Sequence, residues 1–165
     1  MSLKQVLIDE IEREAVSTGK MLERIPEDKF DWSPHARSMA MKALAVHIVG
    51  IAAYTDVIAT TDYLDIGERR PPQPEINTTQ DIVDAFESAT QKSLDALHTL
   101  SEEALGEEWI MRFGERIILR ASKATAMRTM AMNHMYHHRA QLGVYLRLLD
   151  IPVPGMYGPS KDERL

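Results

Sequence analysis

The chain has 165 residues, 44% hydrophobic and 27% charged, with a formal net charge of −6. That length suits one domain, residues 1–165, able to bury roughly 70% of the surface its unfolded chain would expose. The chain has no cysteine, which excludes disulfides, thiolate nucleophiles and thiolate-bound zinc, and the lack of a basic block argues against nucleic acid as a partner.

The first predicted helix runs from Ser2 to Arg24. Its apolar stripe is Leu7, Ile8, Ile11, Ala15, Thr18, Leu22 and Ile25, and Pro26 closes it. No hydrophobic signal-peptide region precedes it. The longest nearly uncharged stretch, Ala43–Tyr54, is about a dozen residues, short of a bilayer span. A cytoplasmic protein without a membrane partner is expected.

A turn-rich segment, Glu27–Arg37, precedes a second helix expected to be capped by Ser38 and to continue to about Asp62. From Ala43 to Ala53 its only polar side chain is His47. A helix apolar all round is covered on more than one side, by its own bundle alone or by the bundle and a second subunit. Asp65–Asn77, with Pro71, Pro72 and Pro74, reads as an extended crossover. Thr78 and Asp81 then cap a third helix with the stripe Ile82, Phe86, Ala89, Ser93, Leu97 and Leu100. Trp109–Arg120 reads as a small hairpin or irregular arm around Gly114. A fourth helix spans Ser122 to about Leu149 and ends ahead of Pro152, and the tail beyond Ile151 lies back on the domain.

The chemistry rests on the histidines, of which there are six. His35 in a loop and His98 near a helix end read as solvated. His134 and His138, four residues apart, fall in the middle of the fourth helix's apolar stripe at ~100° per residue, and His137 falls at its edge. His47 shares a face with Ala43, Leu44, Ile51, Tyr54 and Ile58. One buried histidine is most simply a core ring bonded to a carbonyl or hydroxyl. Three central ones each need a donor and an acceptor satisfied, whereas a single ion satisfies three acceptor nitrogens at once.

Two familiar metal patterns are missing. Met135 stands where a zinc peptidase helix has glutamate, and no Glu-x-x-His pair occurs on two helices. A mononuclear site of His47, His134 and His138 remains, with a coordination position open as in catalytic centres. Imidazole suits zinc, nickel, copper and iron alike. Tyr54 and Gln141 lie on the same faces and are candidates for orienting the ligands or a substrate, with packing and a polar rim as their plainer roles. No nucleophile motif accompanies the histidines, so any nucleophile is expected from outside the chain. On helix four, Met132, Tyr136, Ala140 and Gly143 form a back face, interrupted by Arg128, Arg139 and Arg147, that points to a homodimer.

Trp32-Ser33-Pro34, Arg37-Ser38, His47-Ile48-Val49-Gly50, and Asn133-His134 followed by His137-His138-Arg139-Ala140-Gln141-Leu142 together resemble the DinB/YfiT-like family over nearly the whole chain. The tail Pro152–Ser160 resembles one branch of it. Ala140 stands where members commonly carry glycine. The resemblance implies an all-α four-helix bundle with a long crossover between helices 2 and 3, usually dimeric. It implies nickel or zinc held by His47, His134 and His138. It also implies chemistry of the hydrolase or thiol-dependent transferase type, using water or a low-molecular-weight thiol on a small-molecule substrate. A non-catalytic, stress-related protein that binds metal or a small ligand is the competing expectation.

Overall fold

Helix α1 (Leu3–Leu22) begins at Ser2, whose hydroxyl accepts the Gln5 amide at 3.2 Å, the usual way to satisfy an orphan N–H at a helix start. The computed structural model describes residues 2–68 and 75–163. The proline-rich part of the expected crossover, residues 69–74, lies outside them.

The second helical pattern differs from expectation at both ends. Helix α2 spans Met41–Ala52, and Ser38 is not its cap. The Met41 and Lys42 amides donate instead to the carbonyls of Trp32 (2.8 Å) and Phe30 (3.0 Å) in the preceding loop. At Ala53 the helix breaks, and α3 (Tyr54–Thr60) begins. The break has an identifiable cause. Ser93 donates its hydroxyl to the Ala52 carbonyl (2.6 Å) and accepts the Asp56 amide (3.2 Å). Those two groups, four residues apart, would pair with each other in an unbroken helix. An inserted side chain has replaced that rung of the ladder.

The all-α expectation is corrected by a three-stranded sheet in the order β1-β2-β3. Strand β1 (Tyr63–Asp65) pairs parallel to β2 (Glu108–Phe113), which pairs antiparallel to β3 (Arg116–Ser122). The expected hairpin is therefore present, and Gly114 at φ 56° makes its turn. Fully buried Trp109 donates its indole N–H to Thr61 (3.2 Å), tying the sheet to the end of α3. Helix α4 (Thr79–Thr99) carries the expected reciprocal cap: the Thr78 hydroxyl accepts the Asp81 amide, and the Asp81 carboxylate accepts the Thr78 amide. The backbone amides of Asn77 and Thr78 hold the Asp81 carboxyl below its ordinary range.

The fourth helical pattern is continuous but not uniform. A single α turn, α5 (Lys123–Ala126), passes into a π-helical segment, Met127–Asn133, and then into α6 (His134–Leu148). A π turn closes on the fifth residue and so shifts the register of the turns after it. Helix α4 packs against α1, α2 and α3, while α6 packs against α2 and α1. One part of the core gathers Leu44, Ile48, Ile82, Phe86, Leu142 and Leu146. The other gathers Leu7, Ile58, Leu97, Trp109 and Met127.

The back face of helix four is largely covered within the chain. Met132 is buried, Tyr136 donates to the Glu10 carboxylate at 2.7 Å, and a Cβ on Gly143 would meet Met21 at 3.6 Å. Arg139, 3% exposed, pairs with Glu14 at 2.7 Å and donates to Thr18 and to the hydroxyl of Tyr157. Of the four residues expected at a dimer contact, Ala140 alone is exposed. This face therefore lends no support to a homodimer. The tail does lie back, with Ile151, Val153 and Met156 against the core.

By length and composition, Met41–Thr60 passes as a membrane span, with a mean hydropathy of 1.6 in its best window. Its break at Ala53 and its packing against α4 and α6 are those of a core helix.

Replacing Ser93 by alanine is expected to destabilise the protein by ~1–3 kcal/mol, because Ser93 is buried and its loss strands a carbonyl and an amide. Urea unfolding checks this, and an unchanged midpoint would show that α2 and α3 rejoin without it.

Candidate metal centre

His47 comes from the middle of α2, and His134 and His138 from the first two turns of α6. The structure brings the three together across the α2–α6 contact. Nε2 of His134 lies 3.3 Å from Nε2 of His47 and 2.9 Å from Nε2 of His138. One ligand atom from each ring falls within 4.8 Å of the others. His138 is buried, and His47 and His134 are half-buried.

These spacings fit one ion. Imidazole nitrogens bind zinc at ~2.0–2.1 Å, so two of them on one ion stand ~2.9 Å apart at octahedral and ~3.4 Å apart at tetrahedral angles. For the two rings from α6 the electrostatics favour the neutral, metal-binding form. Burial, aided by neighbouring histidines, holds the pKa of His134 and His138 below the ordinary imidazole value of 6.5. Neutral rings offer lone pairs, and lone pairs bind cations. The three histidines can therefore hold a metal ion.

The remaining ring nitrogens show how the ligands are oriented. Nδ1 of His138 is 2.8 Å from Oε1 of Gln141. An Nδ1–H donor there leaves Nε2 as the free lone pair, and the Gln141 contact raises the His138 pKa against the effect of burial. Nδ1 of His134 is buried with no hydrogen bond of good geometry among the described residues. The Met130 backbone is near enough to raise its pKa, the sign expected of a carbonyl acceptor. His138 thus favours the proton on Nδ1 and the lone pair on Nε2, facing the other histidines.

Tyr54 is the first residue after the break at Ala53, and its ring stacks on His134 with centroids 6.5 Å apart and planes 22° apart. Gln141 is in direct contact with His138 through the 2.8 Å pairing. The other histidines stay outside the cluster. His35 is exposed and accepts the Arg37 amide, and His98 is exposed at the end of α4. His137, ambiguous from periodicity, is exposed, yet its Nε2 lies 3.0 Å from the Gln141 amide nitrogen. Sequence reasoning missed that link. The signal was present, because Gln141 comes four residues after His137 and three after His138, so both share its face.

Comparisons with known proteins identify the family and the fold. The family model described as the DinB family matches residues 1–164. Uncharacterized protein YrdA of Bacillus subtilis is 26% identical over 152 residues, covering 92% of this chain and 86% of the relative. The crystal structure of YjoA, a DinB-like protein of Bacillus subtilis, has a TM-score of 0.67 at 19% identity and covers 96% of this chain and 99% of that one. A DinB-like protein of Bacillus cereus has a TM-score of 0.68 at 22% identity, covering 92% and 95%. With a family model matched from end to end, the chain belongs to the DinB family.

Proposed function

We propose that the protein is a divalent-metal-dependent enzyme, of hydrolase or thiol-transferase type, whose ion is held by His47, His134 and His138. The observation that carries this reading is the convergence of three Nε2 atoms at 2.9 and 3.3 Å on the central His134. Nickel or zinc suits three neutral imidazoles. Such an ion, when bound, supplies Lewis acidity that lowers the pKa of a coordinated water or thiol.

The chain's own residues do the rest. His47 contributes from α2, and no charged side chain occurs between Ala43 and Thr55; apolar walls of this kind limit competing water. Gln141 keeps His138 in the tautomer that binds. Tyr54, stacked on His134, braces that ring and borders the site, where its hydroxyl is our candidate for orienting a substrate. The chain has no cysteine, and among the described residues no carboxylate joins the cluster to supply a covalent nucleophile. The reacting nucleophile is therefore water or a small thiol such as a cytoplasmic protein would meet. A homodimer remains part of the proposal, now resting on the outer strip of α2, where Ala43 and Gly50 are exposed and Val46 is half-exposed.

Alanine at His47, His134 or His138 should sharply lower the metal content of the purified protein, and alanine at His35 or His98 should not. Metal content that survives loss of His47 would rule out the triad. Chelation should abolish turnover in whichever assay responds, ester hydrolysis or transfer of a low-molecular-weight thiol to an electrophile. Full activity after chelation would contradict the mechanism, and bound metal without turnover in either assay would favour the non-catalytic alternative. Light scattering at micromolar concentration should return a dimer mass, and a monomer mass would remove the dimer from the proposal.

A further inference from the structure

The amide of Gln141 is shared between two rings. Its Oε1 is 2.8 Å from Nδ1 of His138, and its Nε2 is 3.0 Å from Nε2 of His137. The two ends of an amide have nearly the same shape and opposite hydrogen-bonding character, so neighbours decide which way it faces. His138 can present its Nε2 lone pair to the other histidines only if Nδ1 carries the proton, and that proton needs an acceptor. Turned by 180°, the amide would set N–H against N–H and favour the tautomer whose lone pair points away from the cluster.

We propose that His137 is a positioning residue that fixes this choice: its Nε2 lone pair accepts an N–H of Gln141 and so holds Oε1 toward His138. The inference rests on the proposed metal centre for its purpose, though not for its geometry. His137 is exposed, and its ring stands edge-on to that of His138 with centroids 4.8 Å apart. Core packing does not account for an exposed ring placed there, whereas polar partners around a metal-binding histidine commonly set its tautomer and orientation.

The test uses four proteins: wild type, His137→Ala, Gln141→Glu, and the double variant. Zinc affinity is read by competition with a chromophoric chelator. In the metal-free proteins the His138 tautomer is read by long-range ¹H–¹⁵N correlation. The expected results are an affinity about tenfold weaker for His137→Ala and a mixture of His138 tautomers where wild type shows the Nδ1–H form. Either oxygen of a carboxylate can accept from Nδ1, so in the Gln141→Glu background the loss of His137 should cost nothing. His137→Ala with wild-type affinity and tautomer would overturn the inference. So would an equal loss of affinity in both backgrounds, since His137 would then act by another route than the amide. Should wild type bind neither zinc nor nickel, the proposed function fails, and the metal-free tautomer measurement still decides the role of His137.

Discussion

Nε2 of His134 cannot be held 3.3 Å from that of His47 and 2.9 Å from that of His138 at no cost if all three carry lone pairs, because like partial charges then face one another. Protonating one ring would relieve the repulsion, but burial disfavours the imidazolium in the two rings contributed by α6. A cation among the lone pairs resolves both problems together, and much of the rest of the fold can be understood as holding α2 and α6 so that the three rings meet.

The orientation of α6 is set on its far side. Arg139 comes directly after His138 in sequence but turns toward α1, where the carboxylate of Glu14, the hydroxyl of Thr18 and the tail residue Tyr157 surround its guanidinium. Breaking one half of such a buried pair leaves an uncompensated charge and costs ~3–5 kcal/mol, so the helix does not rotate freely about its axis. Leu142 and Leu146 fix the next two turns in the core. On the other wall, Ser93 of α4 holds the break that ends α2 and begins α3 at Tyr54, whose ring lies on His134. Packing that could pass for scaffold alone thus reaches the site from α1, from α4 and from the tail.

The site was more legible in the sequence than the elements that build it. His134 and His138 at i and i+4, with His47 alone in an apolar helix, are local patterns, and helix periodicity is enough to turn them inward. The hairpin and the cap at Thr78 were legible for the same reason, since each depends on residues a few positions apart. What escaped was non-local. The break at Ala53 is caused by a serine some forty positions later in the chain, and nothing in Ala52-Ala53-Tyr54 marks it. The start of α2 uses backbone carbonyls in place of Ser38. Strand β1, three residues long, exists because β2 offers it an edge. The π segment before His134 contains no glycine or proline to announce it, although such segments often adjoin functional sites. The back face of α6 looked like a dimer surface because periodicity shows which face a residue is on, but not which helix of the same chain covers it.

The central claim is that His47, His134 and His138 present their Nε2 atoms to one ion. Anomalous diffraction from crystals of the protein as purified, recorded at the absorption edge of the metal found in it, tests this most directly. The account predicts a single strong peak per chain, ~2.0–2.1 Å from Nε2 of each of the three histidines. A metal peak elsewhere, coordination through Nδ1, or three rings in mutual contact with no peak between them would contradict it.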